Sequence, residues 1–231
     1  MIYIKKTEPQ WYKDFILNNH GISYSNFYGK NKDLLRDELL KEQGYVCCFC
    51  GIRIKHQCLD NSNDTFEFIN IESINLQTFQ SHGSRISHII PQKIDPSLSM
   101  KYSNLCLSCD TQNTNPKIRH CDESQKNNII EITPLQEDCI SFFQFSVDGK
   151  IKASRKKSKT DQKKANNTIS VLHLNEPSLV QKRKNFIDNI SKMIEDKKLS
   201  IDEVNNSLLK RDENGAFSPF YFLFPRYTNA I

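Results

Sequence analysis

Cys47-x-x-Cys50 in one segment, with Cys109 and Cys121 in another, limits the fold of this chain more tightly than any hydrophobic pattern does. A C-x-x-C turn offers two thiolates from one tight knuckle, and a tetrahedral zinc ion needs two more. Closing on such an ion forces distant segments to one point. Between the two halves lie Ser87-His88-Ile89-Ile90-Pro91 and Asn104-Leu105, polar groups that a plain zinc ribbon does not require. Cys106-Leu107-Ser108-Cys109 is itself a C-x-x-C, so spacing alone leaves Cys106 or Cys121 open as the partner of Cys109. Cys48 should point away from the knuckle. Cys58 and Cys139 have no partner pattern and read as structural, and His120 is an alternative ligand beside Cys121.

Eight cysteines would suit disulfides in a secreted protein, but the opening Met1-Ile2-Tyr3-Ile4-Lys5-Lys6 has no signal-peptide apolar region. No apolar run reaches bilayer length. The expectation is a cytoplasmic protein with no membrane association and reduced, metal-binding thiols. At 231 residues, 37% apolar and 26% charged, the chain can bury a proper core. Its net charge of +5 has the sign expected for a polyanion partner but does not decide the matter.

Apolar spacing predicts helices over 8–17 and 32–43, with Gly44 ending the second as a C′ glycine. Residues 46–54 read as the zinc-knuckle hairpin, and 55–82 as a polar insertion with a strand near Phe66-Glu67-Phe68-Ile69. A strand over 85–90 carries His88 and stops at Pro91, which cannot donate to a ladder. Residues 95–102 read as a loop, 102–109 as a second strand or turn, and 121–128 as a helix. Phe143, Phe145 and Val147 alternate before an Asp148-Gly149 turn, a hairpin signal. One helix is predicted over 169–198, with Leu179, Phe186, Ile187, Ile190 and Ile194 on one side. The run Arg155, Lys156, Lys157, Lys159, Lys163 and Lys164 is a solvated face by default and a phosphate contact in the sharper reading. The tail over 216–227 is too aromatic for a loose end and should pack on the domain or on a partner.

Cys47-x-x-Cys50, Ser87-His88-Ile89-Ile90-Pro91-Gln92, Asn104-Leu105-x-x-Ser108-Cys109 and His120-Cys121-x-x-x-x-Lys126 resemble the HNH nucleases of Septu-type anti-phage systems and their retron-associated relatives. The likeness extends to Glu8-Pro9, the Asp148-Gly149 hairpin, and Leu172-His173-Leu174-Asn175 with Leu179 and Arg183. It is weak over 55–82 and beyond 200. It implies an α+β fold: a zinc-braced ββα-metal (HNH) core with flanking N- and C-terminal helical segments. One protein would span 1–231, with a helical arm over 1–43, the zinc-knuckle core over 44–130, and a hairpin, helical and aromatic region over 131–231.

The resemblance also implies chemistry. Structural Zn2+ would sit on Cys47, Cys50, Cys109 and Cys121, because the distance from Asn104 to Cys109 matches the third zinc cysteine of the family. His88 would be the general base, and Asn104 would orient it through backbone hydrogen bonds. Asp122 would hold the catalytic Mg2+ or Mn2+, a hard cation that prefers oxygen ligands. Ser87 departs from the pattern, since the family usually has an acidic residue or histidine there. The implied protein is an endonuclease of nucleic-acid phosphodiester bonds, DNA before RNA, acting as an effector with a PtuA-like ATPase. Retron versions add a reverse transcriptase and its RNA–DNA hybrid. An RNA- or tRNA-cleaving effector and a catalytically degenerate, zinc-stabilised binding module are the alternatives. The N-terminal helices and aromatic tail are expected to carry the partner interface.

Overall fold

A computed structural model of the chain describes residues 1–55, 65–66, 79–80, 82–111 and 119–223. Cys58, most of the 55–82 insertion, Glu67 to Ile69 and the end of the tail (Phe224 to Tyr227) lie outside the described residues. The architecture is α+β, built on a three-stranded sheet in the order β1-β4-β5. Strand β1 (Ile54–Lys55) runs parallel to β4 (His82–His88), and β4 runs antiparallel to β5 (Leu105–Cys109). Two more strands, β2 (Thr65–Phe66) and β3 (Phe79–Gln80), pair with each other between β1 and β4 in sequence.

Two helices precede the sheet, α1 (Gln10–Asn18) and α2 (Lys30–Gln43). The second buries Leu35, Leu39 and Leu40 and ends at Gly44, whose left-handed conformation (φ 64°, ψ 37°) suits a residue without a Cβ. Gln43 then does the work of a strand. Its amide donates to Leu107 O at 2.9 Å, and its carbonyl accepts from Leu107 N at 2.6 Å. The edge of β5 is therefore capped by a side chain, and α2 is fixed against the sheet. Beyond Gly44 the knuckle is a tight turn, closed by Cys47 N donating to Ile52 O and Gly51 N donating to Cys47 O, each at 2.9 Å.

Strand β4 is offset from its predicted span, running over 82–88 rather than 85–90. The physical reason is Asn104. Ile89 N still donates to Asn104 O at 3.0 Å, but Ile90 N donates to the Asn104 side chain at 2.8 Å. A side chain replaces the next rung just before Pro91, where no further donor exists. The predicted helix over 121–128 shrinks to a single turn, α3 (Asp122–Gln125), stopped by Lys126 at φ 51°.

The C-terminal half opens with a hairpin of β6 (Phe143–Phe145) and β7 (Ile151–Ala153) around Asp148-Gly149. The single helix predicted over 169–198 is two helices, α4 (Lys159–Val171) and α5 (Pro177–Lys197), followed by α6 (Ile201–Leu208). Pro177 causes the break. It has no N–H to give to a preceding turn, and it is well placed at the first position of a new helix. Glu176 caps that helix by accepting from Ser178 N and Leu179 N.

The described part of the aromatic tail packs back on the knuckle. Phe217 N donates to Gly44 O and Phe220 N to Gly51 O, both at 2.9 Å. A Cβ at Gly51 would lie 2.2 Å from the Phe222 ring, so the ring seats only over a glycine. No helix among the described residues is long and apolar enough to cross a membrane.

Candidate active site

The knuckle, the end of β5 and the residue before α3 converge on four buried sulfurs. Cys47, Cys50, Cys109 and Cys121 offer thiols that all lie within 4.8 Å of one another. The Cys47–Cys121 and Cys50–Cys109 separations are both 3.8 Å. A tetrahedron with zinc–sulfur bonds of about 2.3 Å has an edge of about 3.8 Å, so the donor set fits Zn2+ in both chemistry and size. Among the described residues no other group of three or more histidine, cysteine or carboxylate side chains has this proximity. Cys106 is buried on β5 but is outside the cluster, packed against Cys48. Cys121, at positive φ (59°) immediately before α3, supplies the fourth corner.

Four buried thiolates around one divalent ion leave net negative charge, and the surroundings answer it. His120 Nδ1 lies 3.3 Å from Cys121 Sγ and 3.6 Å from Cys109 Sγ, placing it beside the cluster as a neighbour of the sulfurs. Arg183 is only 2% exposed and feels the charges of Cys50 and Cys121. Its guanidinium donates to Gly149 O and Leu174 O, both at 2.6 Å, which ties α5 to the hairpin and to the end of the α4–α5 turn. The cluster thus braces both halves of the chain.

His88 ends β4 opposite Leu105, at the mouth of a cleft of about 620 Å³. Its Nε2 lies 3.0 Å from the Ser99 carbonyl oxygen. A carbonyl can only accept, so Nε2 carries the proton and Nδ1 holds the lone pair. Gln92 Nε2 approaches Nδ1 at 3.4 Å, and the Tyr24 ring meets the imidazole edge-on at 4.5 Å. Burial holds His88 below its ordinary value of 6.5 against the opposing pull of the Ser99 carbonyl and the Asp122 charge, with Lys32 a smaller push in the same direction as burial. Burial favours the neutral ring, whose Nδ1 lone pair accepts from the Gln92 amide and can take a proton in its place.

Asn104 holds the loop that carries this geometry. Its carboxamide accepts from Ile90 N at 2.8 Å and donates to Ile90 O at 3.0 Å and Leu98 O at 3.2 Å. The chain leaving His88 is therefore pinned at Ile90 and again at Leu98. Asp122, at the start of α3, accepts from Ser87 Oγ at 2.7 Å. Burial raises the Asp122 carboxyl, while the Ser87 hydroxyl and Arg85 pull it back down. The hydroxyl of Ser87 therefore serves as a support for the carboxylate.

The cleft is strongly basic. Lys32, Arg36, Arg85, Lys93 and Lys126 line it, against the carboxylates of Asp110 and Asp122. These cations come from α2, β4, the loop after Pro91 and the end of α3, one or two from each. The run Arg155, Lys156, Lys157 and Lys159 is not among the lining residues. It occupies the turn before α4, where Lys157 pairs with Asp138 at 3.1 Å and covers the Phe142 ring at 3.9 Å. The structure thus brings His88, Asn104 and Asp122 to one place and leaves the sequence-predicted basic run elsewhere. Sequence reasoning missed the five cleft cations. Arg85 and Lys93, flanking the His88 segment, carried a local signal; Lys32 and Arg36 carried only helical spacing.

No family model matches the chain. It is 27% identical over 197 residues, 84% of its own length and 82% of the other's, to a protein of Vibrio cholerae serotype O1 biovar El Tor whose name gives it as a candidate HNH endonuclease of retron Vc95.

Proposed function

We propose that this protein is a metal-dependent HNH endonuclease and the cutting subunit of a retron-type anti-phage defence system. The observation that carries the reading is His88, held by Nε2 on the Ser99 carbonyl, in a cation-lined cleft that also contains Asp122. The likeness to a retron HNH protein points the same way. In this mechanism the basic side chains seat a phosphodiester, and Asn104 holds the His88 loop still. His88 Nδ1 takes a proton from the attacking water while Nε2–H stays on Ser99 O; as the new P–O bond forms, the bond to the leaving sugar oxygen breaks and that oxygen takes a proton from solvent. Asp122 would hold Mg2+ or Mn2+, which would supply Lewis acidity at the phosphate. One carboxylate completed by water and phosphate oxygens is an ordinary Mg2+ environment. Structural Zn2+ on the four cysteines keeps β5, the knuckle and α3 in register.

DNA is the proposed substrate, since backbone hydrolysis of this type does not need a 2′-hydroxyl. A PtuA-like ATPase is the proposed partner, joined in a retron setting by the reverse transcriptase and its RNA–DNA hybrid. The test is Mg2+- or Mn2+-dependent cleavage of a mixed DNA and RNA panel, with and without the co-expressed ATPase. DNA cleavage supports the reading, RNA-only cleavage moves the substrate, and no cleavage by zinc-loaded protein under any condition overturns the enzyme.

A depressed His88 also sets a pH profile. The base form persists as pH falls until the ring protonates, so kcat/KM should hold across neutral pH and drop only below pH 6.5. An acid limb centred above 6.5 would remove His88 as the base. Salt dependence separates the two sets of cations. Lys93→Ala and Lys126→Ala should each lower the log–log salt slope of DNA binding by roughly 0.9. If the turn before α4 carries the strand instead, Arg155→Ala with Lys156→Ala should lower it and the cleft variants should not.

A further inference from the structure

Arg85 makes contacts that conflict with the role proposed for its neighbour. It sits on β4, two residues before Ser87, and lines the cleft. Its Nε lies 3.4 Å from Asp122 Oδ2, and its guanidinium also pairs with Glu123. Asp122 therefore has one oxygen on the Ser87 hydroxyl and the other facing a cation. A divalent ion that takes this carboxylate has to compete with the guanidinium for it. The side chain of Arg85 is 34% exposed, so it is not locked by packing. A guanidinium fork also matches a phosphate as well as it matches a carboxylate.

We propose that Arg85 is a positioning residue that couples metal binding to nucleic-acid binding. It holds the Asp122 and Glu123 carboxylates as a resident cation in the free protein and moves onto the phosphodiester when substrate arrives. Asp122 Oδ2 is then released to the metal at the moment a phosphate is present to complete the coordination. The inference rests on the nuclease reading above. Metal binding is weak without nucleic acid and tighter with it, and by linkage the metal tightens nucleic-acid binding by the same factor.

The test is Mn2+ affinity of zinc-loaded protein, read by electron paramagnetic resonance, with and without a short DNA duplex or its RNA counterpart. A His88→Ala background keeps the strand uncut, and it carries Arg85, Arg85→Gln or Arg85→Lys. The duplex should tighten Mn2+ binding roughly tenfold in the parent. Arg85→Gln should bind Mn2+ about that much more tightly alone and gain little from the duplex. Arg85→Lys keeps the charge but loses the fork, so its free-state affinity stays low and its coupling falls. Should Arg85→Gln lose zinc and fail to fold, Arg85→Lys decides, and unchanged coupling there overturns the proposal. A parent that binds Mn2+, with Arg85→Gln indistinguishable from it, removes the Arg85 coupling alone. A parent that binds no Mn2+, together with a wild type that cuts nothing, removes the nuclease reading and the coupling with it.

Discussion

His88→Ala should lower the rate of phosphodiester cleavage by about 10²- to 10⁴-fold, the usual worth of a positioned general base. The fold should survive. The ring gives up a hydrogen bond to Ser99 O and an edge contact with Tyr24, while the Asn104 bonds that hold the loop involve Ile90 and Leu98 and are untouched. Loss of one such hydrogen bond costs about 1 kcal/mol. Zinc content should be unchanged and the thermal midpoint only slightly lower. His88→Gln makes the sharper comparison, since its amide nitrogen matches the position of the imidazole Nε2 and can donate to Ser99 O but cannot serve as a base near neutral pH. Steady-state cleavage, alongside metal analysis of both variants, is the measurement. Wild-type rates in His88→Ala would transfer the chemistry elsewhere or reduce the cleft to a binding surface.

The second large effect lies at the metal centre. Cys121→Ser should lower bound zinc from one equivalent to well below one and unfold the core cooperatively. Structural zinc sites bind with an apparent free energy of about 10–16 kcal/mol at neutral pH. A domain is stable by only about 5–15 kcal/mol, so the site and the fold stand or fall together. The reach is wide because the cluster joins the knuckle, the end of β5 and the start of α3, and because Arg183 carries its charge balance into the hairpin and α5. Cys106→Ser is the matched control. Its thiol is equally buried but lies outside the cluster, so zinc should remain near one equivalent. Metal content and thermal unfolding of the two variants decide it. Zinc retained in Cys121→Ser and lost in Cys106→Ser would exchange the two residues.

Sequence reasoning reads well where one short segment carries its own physical cause. Gly44 ends α2 because only a residue without a Cβ settles easily in the left-handed region. The same local logic located Cys47-x-x-Cys50, the Asp148-Gly149 hairpin and the His88 strand that stops before Pro91. It failed where periodicity was followed past a stronger signal. The apolar stripe from Ile169 onward runs through Pro177, and the proline was the better guide, since it starts α5 rather than lying inside it. The extent of α3 was also beyond reach, because Lys126 adopts a positive φ that no residue type announces.

The sequence by itself determined the C-x-x-C knuckle, and its resemblance to the HNH nucleases implied the α+β class and grouped His88, Asn104 and Asp122 in one motif. The knuckle closes through bonds made within a few residues, so spacing carries it, whereas Ser87 meets Asp122 and Ile90 meets Asn104 only through the fold. The resemblance favoured Cys121 over Cys106 and the tertiary structure brings that thiol to the other three, but only the tertiary structure gathered Lys32, Arg36, Arg85, Lys93 and Lys126 around His88. A thiol becomes a ligand, and a charge becomes part of a cleft, by distance in space. Charges separated by more than about 8–10 Å in water are largely screened. Clustering along the chain therefore pointed to residues 155–164, while the cations nearest the histidine arrived one or two at a time from separate elements.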